Sequence, residues 1–155
     1  MLCGKTDYKS LEIYNLAHDF VLHVYKLCSS FPDMESNNIT SQLRRAATCL
    51  PLNIAEGSGA GSFRIFLNYC IFCYRSCLET EAALRLCKDL GYITEFQYKE
   101  TLEKLDKFIR KLYNYMKYLE EKAGNRKWDR SAYYRQNSQQ VSEDVVKREQ
   151  VKSLA

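Results

Sequence analysis

The chain has 155 residues, a net charge of +4, and only six glycines and two prolines. That length fits one domain with one core, and so few helix-breaking residues favour long helices over strands joined by turns. No stretch approaches the roughly 20 apolar residues of a membrane span, and the first ten residues lack the layout of a signal peptide. We therefore expect a cytoplasmic protein without a membrane partner, whose seven cysteines are reduced thiols.

Helix one is predicted from about Tyr8 to Cys28. Its residues recur at spacings of three and four, which is typical of a helix packed in a bundle. The row consists of Leu11, Tyr14, His18, Val21, Tyr25 and Cys28. We expect this row to face the core, with His18 as a hydrogen-bonded core histidine. Pro32 ends the helix, because proline disfavours helical geometry in the residue before it.

Helix two is predicted to begin after residues 36–38. Its inner face carries Ile39, Leu43, Ala46, Ala47, Leu50 and Ile54. Pro51 lies inside this pattern and predicts a kink. The glycine-rich segment 57–61 ends the helix, because glycine adopts left-handed geometry freely. It lacks the preceding strand and the Gly-Lys-Ser/Thr ending of a phosphate-binding loop, which favours a plain turn.

Helix three is predicted from Ser62 to Asp89, with Gly91 as its stop. One seam consists of Phe66, Cys70, Cys73, Cys77, Thr80, Leu84 and Cys87. Further apolar residues lie on other faces, namely Phe63, Leu67, Ile71, Phe72, Tyr74 and Leu78. A helix that is apolar nearly all round must be covered on more than one side, so this second set is the predicted interface of a homo-oligomer.

Helix four is predicted from Thr94 to Lys122. Its seam consists of Leu102, Leu105, Ile109, Leu112, Met116 and Leu119, and an aromatic stripe consists of Tyr98, Phe108, Tyr115 and Tyr118. Four helices of matched length joined by short connections predict an all-α fold, an antiparallel up-and-down four-helix bundle over residues 8–122.

Residues 123–155 lose the apolar periodicity, so we interpret them as a basic, aromatic-containing tail that is mobile in isolation. This segment contains cations, which attract phosphates, and aromatic rings, on which unpaired bases can stack. These candidates are Arg126, Lys127, Trp128, Arg130, Tyr133, Tyr134 and Arg135, and the bundle adds Arg44, Arg45, Arg64, Lys107, Arg110 and Lys111. The alternative is a solvated tail whose aromatic side chains fold back on the bundle.

The sequence contains little that indicates catalysis or the binding of a metal or cofactor. Cys70, Cys73 and Cys77 share one helix face, whereas zinc needs ligands from several directions, so core packing is the favoured interpretation. His18 and His23 do not share a face, and no nucleophile has a histidine within local reach. Because buried charge needs a partner, we expect Glu79 or Glu56 to pair with Arg44 or Arg45. The expectation is a non-enzymatic protein with no catalytic residues, no metal and no cofactor.

A family resemblance rests mainly on helix two. Its residues are Gln42-Leu43-Arg44-Arg45-Ala46-Ala47, Pro51 and Asn53-Ile54-Ala55-Glu56-Gly57, supported by Ser76, Glu79 and Leu90-Gly91-Tyr92-Ile93. The pattern resembles the four-helix-bundle proteins encoded in intervening sequences of bacterial large-subunit ribosomal RNA genes, and also the accessory variability determinants of diversity-generating retroelements. The likeness covers about residues 8–122.

The resemblance implies a ring, typically a pentamer, with a basic surface. For the retroelement branch it implies binding to a reverse transcriptase and to RNA, with DNA as a second candidate ligand. Arg44, Arg45, Asn53 and Glu56 would be motif residues that define the fold rather than contact a ligand. Ile65 replaces an acidic residue of many relatives and Arg75 replaces a glycine, so the subunit interface is expected to differ in detail.

The leading hypothesis is a homo-oligomeric RNA-binding scaffold that serves a reverse transcriptase. Its rivals are an adaptor that binds only proteins, through the tyrosine stripe of helix four, and a ribosomal RNA intervening-sequence protein that binds partners through its helical faces. Deleting residues 125–155 separates the two main ideas, because only the RNA hypothesis predicts a large loss of binding.

Overall fold

The structure, a computed structural model, describes residues 7–124, which contain four α-helices and no strand. The helices are α1 (Glu12–Cys28), α2 (Ile39–Ser58), α3 (Phe63–Asp89) and α4 (Glu95–Lys122), with short 3-10 helices at Tyr8–Ser10 and Asp33–Glu35. The predicted all-α bundle is confirmed. None of these helices is long and apolar enough to cross a membrane. The tail predicted at 123–155 lies outside the described residues from 125 onward.

Each helix packs against the next one in sequence, and α4 also packs against α1, which closes the bundle. The pairings run antiparallel. His23 near the end of α1 meets Thr101 near the start of α4, whereas Glu12 at the start of α1 meets Lys111 further along α4. Within the described helices α1 and α3 lie on one diagonal, and α2 and α4 on the other. This is the up-and-down topology.

The helix ends follow local chemistry. Thr94 caps α4, since its hydroxyl accepts from the Gln97 N–H at 3.2 Å while the Gln97 side chain accepts from the Thr94 N–H at 2.9 Å. Gly91 has φ +77° and follows the last turn of α3, as predicted. The reversal between α2 and α3 uses Gly61, whose φ is +68°.

Gly57 does not form part of that reversal. It is a buried residue of α2, which continues to Ser58. A Cβ at this position would lie 2.4 Å from Phe66 Cδ2 and 2.8 Å from Tyr69 Cβ. The glycine-rich segment does end α2, as predicted, but its first glycine lets α2 approach α3 closely.

The core runs the length of the bundle. Its largest fully buried side chains are Phe20, Val24, Leu43, Leu50, Ile54, Phe66, Thr80, Leu84, Leu105, Phe108, Leu112 and Leu119. The predicted seam of α3 is buried throughout, and so is the predicted inner face of α2 apart from the half-buried Ile39. Leu102 and Ile109, from the predicted seam of α4, are half-buried.

The cysteines of α3 are core residues, as predicted. Cys70, Cys73 and Cys77 are fully buried, and the Cys73 thiol donates to the carbonyl of Leu50 on α2 at 3.5 Å. Burial raises the pKa of the Cys70 thiol to about 12 and the pKa of Cys73 well above its usual range. These thiols therefore stay protonated and act as small core side chains.

The prediction for α1 is wrong about which face is buried. Its core residues are Ile13, Ala17, Phe20, Val24, Leu27 and Cys28. Of the predicted row only Cys28 is buried; Leu11, Tyr14 and Val21 are half-buried, and His18 and Tyr25 are exposed. The two rows lie one residue apart, a rotation of about 100°. The aliphatic row enters the core because tyrosine and histidine carry polar atoms that are best left in water.

Candidate nucleic-acid interface

Charge is distributed unevenly along the chain. Residues 7–124 carry 15 basic and 15 acidic side chains, out of 23 and 19 in the whole sequence. The excess of four positive charges therefore lies in residues 1–6 and 125–155. The predicted contacts between Arg126 and Arg135 fall outside the described residues, so the structure places only the candidates on the bundle.

Arg44 is a half-buried cation on the side of α2 that faces α1. Its guanidinium carbon lies 5.2 Å from the centroid of the Tyr25 ring, and its Nε is buried without a hydrogen-bond acceptor. None of the ion pairs among residues 7–124 involves Arg44. The expected pairing of Glu56 or Glu79 with Arg44 or Arg45 is wrong, because no ion pair within residues 7–124 joins them, and both glutamates are exposed to solvent. An aromatic face stabilises this cation in place of a carboxylate.

The thiol of Cys28 lies next to the same guanidinium. Burial raises the pKa of Cys28, and the neighbouring Arg44 opposes that rise through its charge and a hydrogen bond. Arg44 thus joins α2 to the end of α1 and still lacks an anion.

The cations of α4 lie on an exposed face and are partly neutralised. Arg110 pairs with Asp106 one turn earlier, and Lys111 pairs with Glu12 of α1 at 3.0 Å. Lys107, and Arg45 on α2, are exposed and take part in none of the ion pairs recorded for the described residues. Exposed pairs are weak and can exchange for phosphate.

The bundle does not gather the predicted cations into one patch. Arg44 and Arg45 lie on α2, whereas Lys107, Arg110 and Lys111 lie on α4, the helix diagonal to α2. Arg64 is exposed at the start of α3. The described part of the chain therefore offers separate small groups of positive charge.

The aromatic stripe predicted on α4 is not a continuous surface. Phe108 is fully buried, and Tyr115 is half-buried with its ring centroid 5.4 Å from that of Phe66. Tyr98 is half-buried with the Lys88 ammonium 4.7 Å from its ring. Only Tyr118 is exposed, beside an open groove of about 320 Å³ between the start of α1 and the end of α4.

The apolar residues proposed for an oligomer interface divide into two groups. Leu67 and Tyr74 are buried in the chain's own core, so they do not face a second copy. The neighbouring helices α2 and α4 cover more of the surface of α3 than the sequence analysis expected. Phe63, Ile71 and Leu78 are half-buried, and Phe72 is exposed. Ile65 on α3 and Leu52 on α2 are further large apolar side chains that are exposed.

A surface that the sequence reasoning missed lies along α1. Tyr8, Tyr14, His18 and Tyr25, here called the α1 stripe, remain partly or largely accessible. The Tyr8 and Tyr14 centroids are 4.7 Å apart, and Tyr14 and His18 stack at 6.2 Å. Sequence spacing had identified three of these residues as one face but assigned that face to the core. The polar atoms of the tyrosine and histidine rings could have indicated a surface in contact with water.

The second histidine lies between α1 and α4. His23 Nε2 is 2.9 Å from the hydroxyl of Thr101, which itself donates to the carbonyl of Gln97 at 2.7 Å. Because a hydroxyl has one proton, His23 Nε2–H is the donor in the first bond. Burial lowers the pKa of His23, and the nearby Glu100 partly opposes this. Within residues 7–124 no three histidine, cysteine or acidic side chains converge to hold a metal ion.

Comparison with known proteins identifies relatives of this architecture. The model of a family described as 23S rRNA-intervening sequence protein matches residues 9–114. A crystal structure of a protein with unknown function from the S23 ribosomal protein family, from Bacteroides thetaiotaomicron VPI-5482, superposes with a TM-score of 0.61 at 23% identity. The match covers 68% of this chain and 98% of that one, which supports the fold. No curated protein matches the chain.

Proposed function

The chain belongs to the 23S rRNA-intervening sequence protein family, and from this premise we propose that it is a non-enzymatic, cytoplasmic RNA-binding scaffold that works as a homo-oligomer. The observation that carries the proposal is the separation of charge. The bundle is neutral over residues 7–124, while the remainder of the chain holds the entire excess of cations.

Phosphate binding is driven by the release of counterions, so it depends on local rather than average charge. Residues 126–135 contain four cations and a single acid, Asp129, together with Trp128, Tyr133 and Tyr134. Cations beside aromatic rings are the composition that binds single-stranded nucleic acid. In the proposed division of labour, the bundle assembles the protein and residues 125–155 supply most of the phosphate contacts.

Assembly is proposed to bring several copies of this basic segment together. Leu52, Ile65 and Phe72 are large apolar side chains that remain about half exposed, at 54%, 46% and 49%. Burying them against other copies would gather the segments, and linked sites bind far more tightly than single ones. The proposed subunit number is five, as the resemblance implies, and the mass of the purified protein in solution measures it.

The finer proposal is that a reverse transcriptase of a diversity-generating retroelement is the protein partner, with its RNA as the ligand. The helix-two motif between Gln42 and Gly57 supports it. A purified enzyme of that class should bind the wild-type protein in a pull-down assay. A pull-down that retains the enzyme equally well on beads without the protein would contradict this partner.

The proposed function is tested by RNA affinity measured across a range of salt. Each phosphate contact on a single strand adds about 0.7 to the slope of log affinity against log salt. Replacing Arg126, Lys127, Arg130 and Arg135 by glutamine should therefore reduce the slope by up to about 3. The control is Arg45→Gln with Lys107→Gln, two exposed bundle cations, which should lower the slope by well under the value of about 1.4 that two phosphate contacts would give. Absent or salt-independent binding by the wild type would refute an RNA scaffold.

The rival hypothesis, a protein-only adaptor that uses the α4 tyrosines, has lost most of its surface because Phe108 is buried and Tyr98 and Tyr115 are half-buried. What remains is Tyr118 and its groove. Deleting residues 125–155 still discriminates, since the adaptor would keep its partner and the RNA scaffold would lose most of its affinity.

A further inference from the structure

We infer that the α1 stripe, together with Arg44, is a platform on which unpaired bases of single-stranded RNA stack. This inference rests on the proposed function and adds a second contact, on the bundle itself. It requires aromatic faces open to solvent, an anion-binding group beside them, and a spacing that suits a flexible strand.

The rings are partly accessible along one side of α1. The His18 side chain is 52% exposed and Tyr25 is 46% exposed, while Tyr8 and Tyr14 are half-buried. The three residues that belong to α1 follow one another at spacings of four and seven, which places them on one helix face. At 1.5 Å per residue, Tyr14 and Tyr25 are about 16 Å apart along the axis. That length accommodates several bases.

The rings already interact with π systems and cations inside the protein. Tyr14 stacks on His18 with an interplanar angle of 30°, and Tyr8 meets Tyr14 edge to face. Cations lie over both ends of the stripe, with the Lys9 ammonium 5.9 Å from the Tyr8 ring and the Arg44 guanidinium 5.2 Å from the Tyr25 ring. A strand laid along α1 would find a cation for its phosphates near each end, and partly exposed rings for its bases along the helix.

Arg44 supplies the charge complementarity. It is half-buried and pairs with no carboxylate among the described residues. Cationic side chains in such surroundings are stabilised by an anion, and a phosphate oxygen fits a guanidinium well. The unpaired guanidinium favours a nucleic acid over an apolar protein helix, which would bring no anion.

The stripe is a stacking surface more than an electrostatic one. Asp19, which is largely exposed, lies 3.7 Å from His18 and offsets part of the local positive charge. Bases in a duplex hide their faces, so only unpaired bases can use these rings. The affinity contributed by the stripe should therefore depend on bases and hardly on salt.

The experiment compares two double variants of the full chain. In Tyr14→Leu with Tyr25→Leu the apolar bulk stays but the ring faces are lost. In Tyr14→Phe with Tyr25→Phe the rings stay. The probes are a single-stranded oligoadenylate RNA and an abasic strand of equal length. Phe96→Leu, at an exposed ring on the start of α4, is the control for aromatic content in general.

The leucine variant should bind oligoadenylate between about 5-fold and 100-fold more weakly for each stacked base it loses. The phenylalanine variant and Phe96→Leu should bind as the wild type does. Affinity for the abasic strand, and the salt slope for both strands, should be the same in all four proteins. Thermal melting followed by circular dichroism establishes that the variants fold.

Ultraviolet crosslinking of wild-type protein to oligoadenylate gives a readout that needs no substitution, and the crosslinked peptides should contain Tyr14, His18 or Tyr25. Equal oligoadenylate binding by the leucine variant, an equal loss on the abasic strand, or crosslinks confined to other residues would overturn the stripe and leave the proposed function standing. A wild type that binds neither strand would overturn both.

Discussion

Two seams of the bundle are built on different principles. The seam between α2 and α3 is the most closely packed, with Gly57 pressed against Phe66 and the Cys73 thiol bonded to the Leu50 carbonyl. The seam between α1 and α4 is the most sparsely packed of the four. Polar links from His23 to Thr101 and from Glu12 to Lys111 cross it. Close packing dominates the first seam, and polar contacts supplement the sparser packing of the second.

The two seams should respond to different conditions. Burial raises the pKa of the Cys70 thiol to about 12 and the pKa of Cys73 well above its ordinary value, so these thiols give the α2–α3 seam no response to pH near neutrality. The α1–α4 seam contains an imidazole and an exposed ion pair, which respond to pH and to salt. Substitutions that change volume should damage the first seam most, and substitutions that remove polar atoms should damage the second.

The largest effect is expected from Gly57→Ala in the close-packed seam. The new Cβ would lie 2.4 Å from the Phe66 ring and 2.8 Å from Tyr69 Cβ. Overpacking should cost about 3 kcal/mol, and the better helix propensity of alanine returns about 1 kcal/mol. The expected net loss in free energy of unfolding is about 2 kcal/mol, measured by urea denaturation.

Gly59→Ala is the matched control for that prediction. A Cβ at Gly59 meets nothing closer than 3.6 Å, and the residue has φ −84°, which alanine adopts freely. Its free energy of unfolding should change by less than about 0.5 kcal/mol. Equal losses at positions 57 and 59 would show that α2 does not depend on a close approach to α3.

Thr101→Val should have the next largest effect, because it removes the acceptor of the His23 bond. Valine has nearly the same shape as threonine, so the expected loss of about 1 kcal/mol comes from the unsatisfied imidazole N–H. Thr80→Val is the control. Its hydroxyl is equally buried but donates only to the Ser76 carbonyl of its own helix, at 2.7 Å. Chemical denaturation should find Thr80→Val within about 0.5 kcal/mol of wild type.

Much of this architecture was predictable because helix ends and repeating faces are local properties. Gly91 and Thr94 mark the connection between α3 and α4 through backbone geometry and a capping box. The seam of α3 was predictable because its spacing is strict from Phe66 to Cys87. No long-range information was needed at these positions.

The face of α1 was not predictable from spacing alone. Two rows one residue apart both repeat at three and four, and the choice between them depends on which neighbours each row meets. The chemical difference between Ala17 or Val24 and Tyr14 or His18 favours the aliphatic row, whereas spacing alone does not distinguish the two rows. Because the wrong face was assigned to the core, three residues of the α1 stripe were predicted to be buried and were not considered as a surface.

The candidate site depends even more on long-range pairing. Arg44 was expected to find a glutamate and instead lies over the Tyr25 ring of another helix. Gly57 was interpreted with the glycines that follow it, whereas its role is defined by Phe66. Both facts join residues from different helices, and one sequence carries no direct signal of such pairs.

The stability of the α1–α4 seam should depend on pH through His23. Burial holds the pKa of His23 below its ordinary value of 6.5, so the unfolded chain binds more protons as the pH falls below 6.5. The free energy of unfolding contributed by neutral His23 is therefore complete above that pH and is lost progressively below it. Lys26 and Lys104 nearby act in the same direction as burial, and Glu100 acts against it.

His23→Gln should flatten this pH profile while keeping a donor near Thr101. The measurement is the free energy of unfolding of both proteins from about pH 5 to about pH 8. Burial raises the pKa of Glu81, which acts in the opposite direction at lower pH, but it does so in both proteins and cancels in the difference. Parallel profiles for wild type and variant would remove His23 as a pH-sensitive group of the α1–α4 seam.

The smallest effect concerns the ion pair between Lys111 and Glu12, whose side chains are 46% and 64% exposed. A double-mutant cycle with Lys111→Gln and Glu12→Gln should give a coupling energy of at most about 0.5 kcal/mol that vanishes at high salt. Lys111 is also a predicted RNA contact. Because its partner holds it so weakly, Glu12→Gln alone should release the ammonium for phosphate and raise RNA affinity slightly at low salt. A lower affinity in that variant would mean that Lys111 needs Glu12 to be positioned, and that the ion pair belongs to the binding surface itself.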